Sequence, residues 1–276
     1  MTNLAIKETF TSPDYDAIKT KQQLTWGSGD YGRIGITLQI TGELLCESIG
    51  LKAGETVLDV AAGNGNVTLA AARRFCKVIS TDYVSSLLDQ SERRAQAEGL
   101  SIEYQTADAE ALPFNENQFD NIVSTFGVMF TPDQTQSSAE LIRVCKVGGK
   151  IGLANWTPTG FIGQLFKTIG KYVAPPAGVV SPALWGTETF LNEHFCSATT
   201  IESRLRSFNF CYQSPQHWLD LFKNYYGPVL KVYENLEESA AAELTTDIYN
   251  LIQKYNRATD GTMVVPSEYL EIVITK

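Results

Sequence analysis

TVLDVAAGNGNVT, residues Thr56 to Thr68, decides the fold of this chain. An apolar run of β-forming residues passes into a turn that contains Gly63 and Gly65, and the turn opens a helix. These glycines let the backbone turn tightly, and they let a ligand approach where a Cβ atom would block it. A strand, a glycine turn and a helix in this order predict the first βαβ unit of a nucleotide-binding sheet.

Asp59, near the end of the predicted strand, indicates which ligand this turn binds. A dinucleotide site presents helix N-terminal amides to a pyrophosphate, and a carboxylate beside them would repel that anion. Thr68 also stands where the dinucleotide fingerprint has its third glycine. A carboxylate suits a cofactor that has an amino group and no phosphate there, which describes S-adenosylmethionine. An NAD(P)-dependent oxidoreductase is therefore the less favoured alternative.

Four further motifs follow the glycine turn along the chain. They are ISTDY (79–83), TADAEALPF (106–114), FDNIVSTFGVM (119–129) and VGGKIGLA (147–154). Together with the turn they resemble the class I S-adenosylmethionine-dependent methyltransferases, specifically the group related to ubiquinone and menaquinone biosynthesis. The resemblance covers roughly residues 20–156, and the rest of the chain matches only in outline.

The resemblance implies a cofactor site built from these motifs. Asp82 is expected to accept hydrogen bonds from the ribose hydroxyls, Tyr83 to stack on adenine, and Asp108 to accept from the adenine amino group. The backbone around Gly63 is expected to hold the methionine end, with Asp59 near its amino group. The predicted site residues of this region are Asp59, Ala61, Gly63, Asn64, Gly65, Asp82, Tyr83, Asp108, Ala109, Glu110 and, beside the sulfonium, Thr125, Phe126 and Met129.

Structural roles remain open for several of these residues. Asp82 could instead cap a helix, Tyr83 could be a packed surface aromatic, and an aspartate after a strand, like Asp108, is often a turn residue. The residues that follow the fourth strand could be plain core.

A second cluster of candidate residues lies in the N-terminal segment. Arg33 can present paired donors to the methionine carboxylate, and Trp26 and Tyr31 can close over the cofactor. The alternative is that the aromatic residues of this segment only pack on the domain.

Catalytic residues are harder to assign, because a sulfonium is already activated for displacement. Positioning and desolvation can supply much of the acceleration, and a base is needed only if the nucleophile arrives protonated. His194 and His217 are the candidates for that role, and Tyr226, like Tyr225, could orient a substrate hydroxyl. A lone histidine is more often structural than catalytic, so a structural role stays open for both histidines.

Strand-like and helical patterns alternate through the first half of the chain. Strands are predicted at about 56–60, 77–81, 102–106, 119–124 and 149–155, and helices at 36–50, 65–75, 84–98 and 134–146. This rhythm predicts a doubly wound α/β fold. With an extended region at 199–213 and a last strand, we expect a mainly parallel, seven-stranded Rossmann-like sheet with an antiparallel edge strand and a helical cap.

We expect one methyltransferase domain in four segments. Residues 1–35 form an N-terminal cover whose stretch Trp26–Arg33 is too rich in glycine for a helix, and residues 36–156 form the cofactor-binding core. Residues 157–267 form the helical cap, with a helix over 215–236. The cap is inserted before the last strand, 268–275.

Composition limits the classes of partner. The 276 residues carry a net charge of −9, so a broad basic face for nucleic acid is not expected. The five cysteines are scattered without a CxxC pair, which gives no support for a metal site or a disulfide framework. A polar N-terminus without a signal-peptide core and the lack of a long apolar run predict a cytoplasmic protein that does not span a membrane.

These observations predict an enzyme that transfers a methyl group from S-adenosylmethionine to a small-molecule acceptor. The aromatic side chains of the cap favour an aromatic or largely apolar acceptor. A non-catalytic S-adenosylmethionine-binding protein remains the main alternative, because this family has no obligatory catalytic residue. Nothing in the sequence separates O-, N-, C- and S-methylation.

Overall fold

The computed structural model describes residues 13–276, which form one seven-stranded sheet with the order β3-β2-β1-β4-β5-β7-β6. Strands β1 to β5 pair in parallel, and β7 lies antiparallel between β5 and β6. The strands are β1 (Thr56–Val60), β2 (Lys77–Asp82), β3 (Glu103–Thr106), β4 (Phe119–Thr125), β5 (Cys145–Trp156), β6 (Thr200–Tyr212) and β7 (Met263–Thr275). The predicted fold class is confirmed.

Eleven α-helices accompany the strands within residues 13–276. They are α1 (Tyr15–Trp26), α2 (Gly32–Gly35), α3 (Gln39–Ile49), α4 (Asn66–Arg73), α5 (Ser85–Ala97), α6 (Gln134–Val144), α7 (Phe161–Ile169), α8 (Glu188–His194), α9 (Pro215–Tyr225), α10 (Gly227–Asn235) and α11 (Glu238–Tyr255). Single 3-10 turns lie at Ile36–Leu38, Val128–Phe130 and Pro182–Gly186. In this part of the chain no helix is long and apolar enough to span a membrane.

The two faces of the sheet are covered by different helices because successive strand residues point to opposite sides. Val57 of β1 joins a buried cluster with α3 and α4. Its neighbour Leu58 joins the larger cluster on the other face, which includes Leu141 of α6 and Phe161 of α7. Both faces are therefore sealed, as a parallel sheet requires.

The N-terminal segment is more helical than predicted. Helix α1 begins after Asp14, whose carboxylate accepts a hydrogen bond from the amide of Ala17 at 3.0 Å. The stretch Trp26–Arg33, predicted as a glycine-rich loop, contains the end of α1 and the start of α2, so the prediction was wrong at both ends.

The boundaries of the cap also differ from the prediction. The single helix expected over 215–236 is two helices, because Pro228 lacks an amide hydrogen and breaks the helical bonding after Tyr226. Strand β6 lies inside the range 157–267 that was predicted as the cap. Strand β7 starts at Met263, five residues before the predicted 268, and pairs with β6 along its whole length.

Candidate active site

A cleft opens at the carboxyl ends of the parallel strands. It lies where the strand order reverses between β1 and β4, the usual ligand position in open α/β sheets. Helices α1 and α2 and the residue between α9 and α10 form its roof. Of the predicted site residues, it is lined by Trp26, Tyr31, Ala61, Gly63, Asn64, Asp82, Tyr83, Asp108, Ala109, Glu110, Thr125, Phe126 and Tyr226.

Gly63, in the glycine turn, is hydrogen-bonded to Asp82 at the end of β2. Gly63 has a φ of +56°, and its amide donates to Oδ2 of Asp82 at 2.9 Å, while Oδ1 accepts from the amide of Val84 at 2.9 Å. Burial raises the pKa of Asp82 to about 6. Each carboxylate oxygen keeps a second acceptor site, so Asp82 can accept further hydrogen bonds from a ligand in the cleft.

Gly65 lies on the side of the turn that faces α5 and does not line the cleft. Its φ is +84°, and a Cβ at this position would lie 1.9 Å from Oγ of Ser91 on α5. A larger residue would push the turn away from α5, so the role of Gly65 is the close approach of turn and helix.

Asp59 lies beneath the turn and is not part of the cleft wall, which differs from its predicted position. It is fully buried, one carboxylate oxygen accepts a hydrogen bond from Thr68, and Oδ1 has no partner within residues 13–276. Burial raises the pKa of Asp59 to about 8. Asn64, which does line the cleft, has an unpartnered amide group in the same part of the chain.

Lys19 of α1 reaches the predicted adenine site, and the sequence analysis missed this residue. Its ammonium group lies 2.8 Å from Oδ2 of Asp108 and 3.1 Å from Oε2 of Glu110. Glu110 also accepts from the amide of Asp133 at 2.7 Å. The carboxylate expected to bind the adenine amino group is therefore already bound to a cation.

The end of β4 is held in a strained conformation. Phe126 has a φ of +54° and Ala61, at the end of β1, has a φ of +53°, a region that residues with a side chain seldom adopt. Gly127 lies so close to β1 that a Cβ there would be 2.1 Å from the carbonyl oxygen of Ala61. The Phe126 ring stacks on Trp156 at 3.9 Å and 8°. Such strain collects at ligand sites.

Met129 does not line the cleft. It is fully buried, in the 3-10 turn that follows β4, and packs in the larger core cluster. Its position supports the alternative that Met129 is a core residue.

Aromatic rings from the N-terminal segment, the turn after β4 and the junction of α9 and α10 meet in the roof. The Trp26 ring lies 5.9 Å from Tyr31, 4.9 Å from Phe130 and 5.5 Å from Tyr226, measured between centroids. Gly29 forms an isolated antiparallel bridge with Tyr226, and no other segment joins the N-terminal roof to the cap by strand pairing in residues 13–276.

Arg33 lies outside the cleft. Its side chain is 59% exposed, 3.4 Å from Asp30 and 4.6 Å above the ring of Tyr225. The predicted pair of hydrogen bonds from Arg33 to the methionine carboxylate has no geometric support, because α2 turns the neighbouring Ile34 inward and Arg33 outward.

Comparisons with known proteins identify the family. Residues 57–149 match the family described as "Methyltransferase domain". An uncharacterized protein of Mycobacterium tuberculosis is 38% identical over 91% of this chain and 92% of its own length. The demethylmenaquinone methyltransferase of Deinococcus radiodurans is 33% identical over 50% of this chain and 58% of its own.

The chain belongs to the class I S-adenosylmethionine-dependent methyltransferases. Its fold is also similar to that of a putative methyltransferase from Bacillus halodurans, with a TM-score of 0.57 and 21% identity over 84% of this chain and 95% of that one. Phosphoethanolamine N-methyltransferase 2 of Haemonchus contortus has a TM-score of 0.54 and 18% identity over 86% of this chain and 52% of its own.

Neither histidine of this methyltransferase lies at the cleft. The His194 ring stacks on Phe190 at 3.8 Å, and its Nδ1 lies 3.0 Å from the Phe190 carbonyl oxygen. His217 lies in the first turn of α9, where its Nδ1 accepts from the amide of Gln213 at 3.3 Å. Both have local structural roles, so among the three catalytic candidates the structure brings only Tyr226 to the site.

The part of the cleft over β4, β5 and β6 is almost entirely apolar. We call this part the acceptor half, and it is lined by Phe126, Phe130, Trp156, Ile162, Leu165, Phe166, Phe210, Phe222 and Tyr226, with the hydroxyl-bearing Thr125 and Thr131 at and after the end of β4. The aromatic composition of the cap anticipated its character. Trp156 and Phe210 were missed, because strand residues show no local sign of facing a cleft.

Proposed function

We propose that this methyltransferase transfers a methyl group from S-adenosylmethionine to a small, aromatic or largely apolar acceptor. The observation that carries the proposal is the continuity of the cleft. One end has the glycine turn and the strand-end carboxylate of Asp82, and the other end is the apolar acceptor half.

The residues present fit S-adenosylmethionine at the first end. The cradle above Gly63 would be narrowed by a side chain, and Asp82 has unused acceptor sites for ribose hydroxyls. Oδ1 of the buried Asp59 has no partner within residues 13–276, and a positive charge nearby, as the methionine amino group has, would favour the ionised form of this carboxyl group. When bound, S-adenosylmethionine supplies a methyl group on a sulfonium. The role of the chain is to hold both reactants and exclude water.

Lys19 and the adenine ring compete for Asp108 in this arrangement. Either the ammonium moves to Glu110 alone when adenine arrives, or the adenine amino group takes the remaining acceptor sites of Asp108. Both arrangements keep α1 over the cofactor end of the cleft.

The direct test is binding followed by turnover. Calorimetry should show S-adenosylmethionine and S-adenosylhomocysteine binding at about micromolar levels, equivalent to about 8 kcal/mol, without measurable binding of NAD or NADP. Incubation with a panel of aromatic acceptors should then release S-adenosylhomocysteine. Tight NAD binding would contradict the cofactor assignment, and cofactor binding without product from any acceptor would favour a non-catalytic binding protein.

A further inference from the structure

Charge is distributed unequally along the cleft. The charged residues that line it, Lys19, Asp82, Asp108 and Glu110, come from α1 and from the ends of β2 and β3. The acceptor half lies over the opposite side of the sheet, which begins with β4. In the part of the chain that the structure describes, no side chain of the acceptor half is charged, and Tyr226 is its one titratable group.

Tyr226 is suited to donate a hydrogen bond and unsuited to accept a proton. Burial first, and the neighbouring Tyr31 second, raise the pKa of its hydroxyl above the ordinary value. The hydroxyl therefore keeps its proton at neutral pH. It lines the cleft and forms no hydrogen bond with any residue of 13–276.

Without a base, the acceptor half favours a nucleophile that has already lost its proton. Methylation of a neutral amine only moves the positive charge from sulfur to nitrogen, and the ammonium product then has a proton that no group of the acceptor half, among the described residues, can take. An anion facing a sulfonium loses its charge as the bond forms, and a dry apolar chamber favours the loss of two opposite charges.

We propose that the acceptor is an acidic phenol or enol on a flat ring, bound as its oxyanion, with Tyr226 donating a hydrogen bond to that oxygen. This inference rests on the proposed function. The acceptor loses its proton to water before it binds. The oxygen–carbon bond then forms as the carbon–sulfur bond breaks, and the electron pair stays on sulfur.

Methylation on oxygen follows from the same absence of a base. Transfer to the oxyanion leaves no proton to remove, whereas transfer to a ring carbon leaves a proton that the acceptor half has no group to take. The stacked rings of Phe126 and Trp156, which both line the cleft, provide flat apolar surface for the ring of the acceptor.

The first experiment measures binding alone. Para-nitrophenol, whose anion is coloured and whose neutral form is not, is added to the full chain saturated with sinefungin, an S-adenosylmethionine analogue that has a protonated amine in place of the sulfonium and cannot transfer a methyl group. We expect the bound dye to be ionised, with Tyr226→Phe shifting it toward the neutral form. Tyr225→Phe is the matched control, because Tyr225 lies next in sequence and outside the cleft. A bound dye that is neutral in the parent protein would overturn the inference.

The second experiment follows kcat/KM against pH for a series of phenols of increasing acidity. The rising limb should follow the pKa of each phenol, and Tyr226→Phe should lower kcat/KM by about 10- to 100-fold, the range for a hydrogen bond to a charged group. Its affinity for S-adenosylhomocysteine should be unchanged. If kcat/KM rises at the same pH for every phenol, a group of the protein acts as the base and the inference is overturned. Methylation of amines but not of phenols would also overturn it. If S-adenosylhomocysteine itself does not bind, the proposed function fails.

Discussion

Replacing Asp82 with Ala separates the contribution of this carboxylate to folding from its contribution to the cofactor. In the folded chain its two oxygens accept from the amides of Gly63 and Val84, both at 2.9 Å. Losing those bonds leaves two donors without a partner, which should lower the free energy of unfolding by about 2 kcal/mol. Loss of the ribose hydrogen bonds should cost a further 2–4 kcal/mol of cofactor binding, about 30- to 1000-fold in Kd.

Urea unfolding measures the first quantity and calorimetry with S-adenosylhomocysteine the second. Asp82→Asn, which keeps the volume and one acceptor oxygen, provides a folded variant if the alanine variant is too unstable. Asp89→Ala on the exposed side of α5 removes the same charge and should change neither quantity. If Asp82→Ala binds the ligand as tightly as Asp89→Ala does, Asp82 does not bind the ribose.

Three further changes test other parts of the site. Lys19→Met leaves the buried Glu110 without its cation and should cost about 1–3 kcal/mol in urea unfolding, whereas Lys21→Met on the same helix should be neutral. Gly29→Ala places a Cβ 2.7 Å from a carbonyl oxygen at a φ of +73°, so amide exchange in the roof should accelerate while the sheet stays protected. Burial raises the pKa of Asp59 to about 8, from about 4 in the unfolded chain. The contribution of this group to the free energy of unfolding should therefore be greatest below about pH 4 and should fall as the pH rises to about 8. Asp59→Asn should flatten that fall, and an unchanged slope would show that another group causes it.

The core of the fold could be predicted because its signals are local in sequence. The run around Asp59, the glycine turn and the acid at Asp82 each lie within a few residues of the element that positions them. Strand β1 was predicted to its bounds, and the ends of β2 and α5 to within one residue. Local periodicity and glycine placement determine these elements directly.

Contacts between segments that are distant in sequence could not be predicted from local patterns. Lys19 and Asp108 are 89 residues apart, and no sequence pattern links them. Arg33 was expected at the cofactor because an arginine can present paired donors to the methionine carboxylate, but the helical turn α2 points it to solvent. Helix geometry rotates successive residues by about 100°, so assigning a face required the helix to be known first.

The bridge between Gly29 and Tyr226 has a consequence for the order in which reactants enter. The N-terminal roof stands over the cofactor end, and the residue it pairs with is part of the wall of the acceptor half. When the roof moves to admit S-adenosylmethionine, it therefore also displaces that wall. The wall regains its position only after the roof has closed again. Steady-state kinetics should be sequential and ordered, with S-adenosylmethionine adding first and S-adenosylhomocysteine leaving last, and S-adenosylhomocysteine should inhibit competitively against S-adenosylmethionine alone.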